Sequence, residues 1–230
     1  MDTAVCLVSG GMDSCVSAAI AHSRGLNLAF LHVGYGQLTE VRELEAFHDI
    51  ADHYGVTERL CVDGGYLREI GGSALTDRSI GVPEGDVDRT GIPVTYVPFR
   101  NANLLSIGMS WAEVIGGEYL YVGAVEEDSS GYPDCREAFF TAFNEVARLG
   151  SKPETSVEVV TPLIRMSKGD IVRRGIELQA PLELTWSCYQ AGDVACGRCD
   201  SCLLRLRGFK QAGLKDPVAY REQAGERDSE

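Results

Sequence analysis

The sequence predicts an α/β fold built on a doubly wound, Rossmann-like parallel sheet, with a small zinc-binding segment near its C-terminal end. Short apolar runs alternate with stretches of helical periodicity. The first run breaks at Ser9-Gly10-Gly11 directly into a second apolar segment. Cys188, Cys196, Cys199 and Cys202 crowd into one short stretch far from these runs.

The elements follow in order. Ala4 to Val8 reads as a strand buried on both faces, and the apolar run Cys15 to Ala21 as the helix after it. Asn27 to Val33 is a second strand that turns out through Gly34-Tyr35-Gly36-Gln37. In Glu40 to Tyr54 apolar residues recur at helical spacing, and Gly55 fits its end. Glu58 to Val62 is a third strand. Asp63 to Pro93, rich in glycine and without periodicity, reads as a flexible flap. Pro93 to Pro98 reads as a strand, Asn103 to Ile115 as an amphipathic helix, and Tyr119 to Val122 as a buried strand. Then come a polar loop to Arg136, a helix from Glu137 to Leu149 and a last strand at Val157 to Val160. Ser167 opens a helix reaching Gln179 with a capping-box-like Ser-x-x-Asp. A basic helix from Ser201 to Ala212 closes the ordered chain.

The strand–glycine turn–helix at the start is suited to an anion. The first amides of a helix lack internal partners and carry the positive end of its dipole. Gly10 and Gly11 let backbone approach an oxyanion, and Ser9 and Ser14 add hydroxyls. The loop lacks the Gly-Lys-Ser/Thr ending of a Walker A sequence. It resembles the pyrophosphate loop, S-G-G-x-D-S, of the ATP pyrophosphatase superfamily. That resemblance implies an adenine nucleotide alpha hydrolase-like fold and ATP as cosubstrate, with Mg²⁺. It also implies attack on the α-phosphate, with Val8, Ser9, Gly10, Gly11, Met12, Asp13 and Ser14 at the nucleotide and Asp13 and Ser14 in catalysis.

Composition narrows the class. The chain has 230 residues, 44% hydrophobic and 24% charged, with no apolar run long enough to span a bilayer and no secretory signal. Its net charge is −13, which would repel nucleic acid, and no strong basic patch offsets it, so neither nucleic acid nor membrane is expected as a partner. Eight cysteines in a nucleotide-binding pattern without a signal point to a reducing cytoplasm. Four of them form C-x7-C-x2-C-x2-C, a closed thiolate set suited to structural Zn²⁺, with Gly197 in the knuckle and Arg198, Arg205 and Arg207 near enough in sequence to offset its charge. Cys6, Cys15 and Cys61 read as core packing.

Two further polar stretches follow strands and are expected at the carboxyl edge of the sheet, where open α/β folds bind ligands: Arg100-Asn101 and Asp128 to Arg136. Arg100 and Lys168 are candidates to neutralise carboxylate and phosphate, and both are counted as catalytic. Asp134 is a candidate acceptor for a guanine-type amine edge, and Tyr132 a candidate to cover the ring. Asn101, Asp128, Ser130, Gly131 and Arg136 complete the expected substrate set.

Taken in order, Ser9 to Ser14, Val97-Pro98-Phe99-Arg100-Asn101, Ser130 to Arg136, Thr161-Pro162-Leu163 and Leu184 to Tyr189 with the cysteines resemble the QueC family of 7-cyano-7-deazaguanine synthases, across nearly the whole chain. The resemblance implies an ATP-dependent ligase of queuosine biosynthesis. It would convert 7-carboxy-7-deazaguanine and ammonia to the nitrile (preQ0) through adenylated carboxylate and amide, as a homodimer. It implies residues 1–183 as an ATP-binding domain, 184–217 as the zinc-binding segment with the C-terminal helix, and 218–230 as an acidic tail. Leu38 and Thr39 stand where the family usually carries a basic residue and a His, and Ser129 where an aromatic is common. Three alternatives stay open: a paralogue that stops at the amide or couples the deazapurine to a protein amine, a tRNA-thiolating enzyme, and a nucleotide-binding module.

Overall fold

The computed structural model describes residues 1–83, 85, 91–126 and 131–221. Five parallel strands form one sheet: β1 (Thr3–Leu7), β2 (Asn27–Gly34), β3 (Arg59–Asp63), β4 (Tyr119–Val122) and β5 (Glu158–Val160). Their spatial order is β3-β2-β1-β4-β5. The chain winds outward from β1 through β2 to β3, then crosses back and winds the other way. That reversal opens a crevice beyond the carboxyl ends of β1 and β4, where the register sets Leu7 opposite Val122.

The helices are α1 (Met12–Ser23), α2 (Glu40–His53), the short α3 (Tyr66–Ile70), α4 (Arg100–Ile115), α5 (Glu137–Gly150), α6 (Lys168–Glu177) and α7 (Asp200–Gln211). Two cores cover the two faces of the sheet. Successive residues of a strand point to opposite faces, so Ala4 and Cys6 join Phe30 and Tyr121 under α1, α2 and α6. Val5, Leu31 and Leu120 join Leu105, Met109 and Phe140 under α4 and α5. Near-continuous apolar strands are what a sheet covered on both sides requires. Gly108 lets α4 close on the sheet, because a Cβ there would stand 2.7 Å from Leu120 Cδ1.

Two expectations about the middle of the chain fail. Pro93 to Pro98 forms turns, not a strand: the Tyr96 amide donates to Pro93 O at 3.0 Å and the Arg100 amide to Val97 O at 3.2 Å. Prolines at both ends remove ladder donors, and β2 and β4 already flank the central strand. Phe99 then takes a left-handed conformation (φ 57°) and α4 starts at Arg100 rather than Asn103. The expected flap is partly built structure. It carries α3, and Leu67 and Leu75 are buried against Val97. Among the described residues no helix is long and apolar enough to cross a membrane. Residues 222–230 of the expected acidic tail lie outside the described residues.

Candidate active site

The loop after β1 is tied internally. The Ser9 amide donates to Ser14 Oγ at 3.2 Å, the Gly11 amide to Ser9 Oγ at 3.3 Å, and Ser14 Oγ to Gly11 O at 2.9 Å. Val8 is buried at its base, its amide bonded to Leu31 O. Gly11 is the N-cap of α1, so Met12, Asp13 and Ser14 are its first turn. Gly10 has φ +88°, and a Cβ there would strike the Glu43 carbonyl, so the first turn of α2 docks directly on the loop. Gly10 O accepts the Trp186 amide at 2.8 Å, which fastens the cysteine-rich segment to the same loop. Gly123, just past β4, lies flush against it: a Cβ would stand 2.7 Å from Asp13 O and from Ser14 N.

Asp13 is paired across 155 residues of sequence with Lys168, Nζ to Oδ2 at 2.6 Å. Lys168 is the first residue of α6, whose Ser167 cap accepts the Asp170 amide as the Ser-x-x-Asp spacing predicts. Asp13 Oδ1 is buried without a hydrogen-bond partner among the described residues. The loop and α6 therefore set a fixed ion pair and helix-terminal amides around one space.

That space is a cavity of about 290 Å³. Arg100 among tyrosines forms another part of its wall. Arg100 Nη1 donates to Tyr35 OH at 3.1 Å, and the guanidinium stands 5.4 Å from the Tyr35 ring centre and 6.0 Å from that of Tyr132. Arg100 Nε is buried and unpartnered among the described residues. Burial pushes the Tyr35 phenol up to about 12 and raises Tyr189 too, so both rings face the cavity uncharged. Tyr132 is held by its hydroxyl, which donates to Thr95 Oγ1 at 2.9 Å.

The other sequence-predicted substrate residues divide. Asn101 lines the cavity beside Arg100. Asp134 does not. It is 3% exposed and caps α4: its Oδ2 accepts the Asn101 amide at 2.9 Å, while Asn101 Nδ2 donates to Asp134 O at 2.8 Å. A first-turn amide of a helix needs an acceptor, and Asp134 Oδ2 supplies it. Arg136 is exposed at the N-cap of α5, and Gly131 (φ +78°) packs its backbone against Gly91 O; neither lines the cavity. Asp128 and Ser130 lie outside the described residues. Residues that sequence reasoning did not single out also line the cavity: Tyr35, Glu43, Trp186 and Tyr189. Tyr35 had a signal, a glycine turn at the carboxyl end of a strand. Glu43 lies inside a helix and had none.

The cysteine-rich segment closes beside this cavity. The sulfurs of Cys188, Cys196, Cys199 and Cys202 all lie within 4.8 Å of one another, and Cys196 and Cys202 are 3.9 Å apart. Tetrahedral zinc with Zn–S near 2.3 Å sets sulfurs roughly 3.8 Å apart, so the donor set fits the metal. Amides of Ala191 and Cys196 point at Cys188 Sγ, and that of Cys199 at Cys196 Sγ, each at 3.4 Å. These amides face the thiolates. Arg205 is instead engaged by Asp216, and Arg198 is exposed.

Residues 3–213 match the family profile described as "Queuosine biosynthesis protein QueC". The chain belongs to the QueC family. It is similar to the 7-cyano-7-deazaguanine synthase of Chlorobium phaeobacteroides, at 58% identity over 96% of this chain and 97% of that protein. It is similar to that of Chlorobaculum tepidum at 59%, over 94% and 96%. Among solved structures, the crystal structure of a 4-thiouridine synthetase–RNA complex with bound ATP superposes with a TM-score of 0.52 at 18% identity, covering 92% of this chain and 50% of that one. That likeness shows the shared α/β fold.

In this QueC chain the unusual Thr39 has a definite place. It is the N-cap residue of α2, and its hydroxyl donates to Glu43 Oε1 at 2.8 Å. Gln37 Nε2 donates to the other oxygen, Oε2, also at 2.8 Å. The pair of donors holds the Glu43 carboxylate at the cavity wall.

Proposed function

We propose that this QueC-family chain is an ATP-dependent ligase that converts 7-carboxy-7-deazaguanine and ammonia to 7-cyano-7-deazaguanine. One observation carries the reading: a single cavity at the switch point of the sheet joins the pyrophosphate-type loop and its Asp13–Lys168 pair to Arg100 and its tyrosines. The high identity with 7-cyano-7-deazaguanine synthases over nearly full length supports the choice of substrate.

The chemistry follows from leaving groups. A carboxylate resists ammonia because oxide would have to leave. Its oxygen attacks the α-phosphorus of ATP, the α–β phosphoanhydride bond breaks, and pyrophosphate departs. Ammonia attacks the resulting acyl adenylate and AMP departs, leaving an amide. The amide oxygen attacks a second ATP in the same way. Loss of AMP and of the remaining N–H protons then yields the nitrile. Two anions must meet in each activation. Lys168, oriented by Asp13, and Arg100, lining the same cavity, would offset the charge that builds as they meet. The α1 amides and the Ser9 and Ser14 hydroxyls would take the departing pyrophosphate. Mg²⁺ accompanying ATP would be held by Asp13, whose Oδ1 has no hydrogen-bond partner among the described residues. Zinc held by Cys188, Cys196, Cys199 and Cys202 would serve structure, since four thiolates leave no open position.

On this reading the chain works in the cytoplasm, consistent with all eight cysteines being unpaired, and acts on a small molecule as a homodimer without nucleic acid. The test is product analysis. Purified chain with ATP, ammonia and the carboxylic acid should give the nitrile by mass spectrometry, with one AMP and one pyrophosphate for each activation. ADP and phosphate as products would overturn the adenylation. An amide that accumulates and is never consumed would overturn the nitrile as end point.

A further inference from the structure

Glu43 is an acidic side chain placed where a deazapurine ring would have to lie. It lines the cavity together with Tyr35, Arg100, Tyr132 and Tyr189. Its backbone carbonyl is fixed against Gly10 of the phosphate loop. Each carboxylate oxygen takes one internal donor, from Thr39 to Oε1 and from Gln37 to Oε2. Gln37 is itself fixed, since its Oε1 accepts the Tyr35 amide at 2.8 Å. A carboxylate oxygen accepts about two hydrogen bonds, so each oxygen keeps a second lone pair. Among the described residues the carboxylate is thus held in place, half-buried and only half satisfied.

The chemistry of that vacancy is specific. Two free acceptor sites on one planar group match two adjacent N–H donors on a flat partner. The guanine-type edge has this pattern, a ring N–H next to an exocyclic amine. An adenine edge does not, because a ring nitrogen acceptor sits beside its amine and a carboxylate would repel it. Uncharged Tyr35 and Tyr189 in the same cavity suit a flat heterocycle, and Arg100 suits its carbonyl or carboxylate.

We propose that Glu43 is the specificity-determining residue that reads the ring N–H and 2-amino group of the deazaguanine, with Gln37 and Thr39 as its positioning residues. The inference rests on the substrate reading above and deepens it. It gives Glu43 the role that Asp134, committed to capping α4, does not fill.

The test is calorimetric binding, in the presence of ATP, of 7-carboxy-7-deazaguanine and of its analogue lacking the 2-amino group. The wild-type chain should bind the analogue roughly tenfold to a hundredfold more weakly, because one acceptor is then left unpaired. Glu43→Gln should lose a similar factor for the natural ligand and should no longer distinguish the two, while still binding ATP. Thr39→Val, which frees one oxygen of Glu43, should narrow the discrimination without abolishing it. Equal wild-type affinity for the two ligands overturns the proposal without any variant. So does a Glu43→Gln chain that discriminates as well as wild type, or one whose loss is confined to ATP. A wild-type chain that binds neither ligand overturns the substrate assignment itself, and this inference with it.

Discussion

Removing one carboxylate just beyond α7 should cost much of the stability of this chain. Arg205 of α7 and Asp216, just beyond it, form a bidentate pair with Nε–Oδ2 at 2.7 Å and Nη2–Oδ1 at 2.9 Å. Both side chains are 3% exposed. The guanidinium also donates to Leu182 O at 3.1 Å and to Thr185 Oγ1 at 2.6 Å, and Asp216 accepts from Tyr220 OH and the Val218 amide. In Asp216→Ala the arginine stays buried with its charge uncompensated, and two further donors lose their acceptor. A broken buried pair costs about 3–5 kcal/mol. For a chain of 230 residues that corresponds to a fall in Tm of roughly 6–20 °C. Thermal and urea unfolding with zinc in excess would measure it. Since bulk salt screens a buried pair poorly, the loss should be nearly the same at high ionic strength. The double variant Arg205→Met with Asp216→Leu should recover most of the stability, because it removes both desolvation penalties. A loss below about 1 kcal/mol, or one that shrinks with added salt, would show that the pair behaves as a surface contact and refute the reasoning.

Other outcomes follow from the same geometry. Lys168→Met should lower kcat by about 10²–10³, as for loss of one preorganised charge at a reacting centre; an unchanged kcat in the folded variant would remove it from the reaction. Cys199→Ser should lose its zinc by elemental analysis and unfold at lower temperature, since metal binding is coupled to folding. Asp134→Ala should cost about 0.5–2 kcal/mol of stability through loss of the α4 cap, and a calorimetric loss of substrate affinity without that destabilisation would return Asp134 to the site. Burial, opposed by the Gln37 and Thr39 donors and the Arg100 charge, holds the Glu43 carboxyl above its ordinary 4.5. The folded chain then holds that proton more tightly than the unfolded chain, so the stability this group contributes is lost as pH rises above 4.5. The wild-type Tm relative to that of Glu43→Gln, followed from acid toward neutral pH, should decline, and a parallel course would contradict the shift.

Short-range pattern alone determines a good part of this protein. The alternation of apolar runs and helical spacing, the Ser9 to Ser14 loop, the Ser167 cap and the cysteine spacing are each set by residues adjacent in the chain. Their backbone geometry is decided within a turn or two, and the structure shows them at the expected places. Tertiary structure decided the rest. The Pro93 to Pro98 run has strand-like residues, yet its prolines and the flanking of β1 on both sides leave it no partner. Asp134 looks the same in sequence as a ligand or as a cap, and only the approach of α4 from 33 residues away made it a cap. Arg205 is nearer in sequence to Cys202 than to Asp216, yet it is buried against the carboxylate. Glu43 carries no local mark at all. It became part of the cavity because Gly10 lets α2 close onto the loop, and because hydrogen bonds from Gln37 and Thr39 aim it inward. Roles of this kind depend on which distant groups exclude water around a side chain, and that is a property of the packed molecule rather than of any stretch of its sequence.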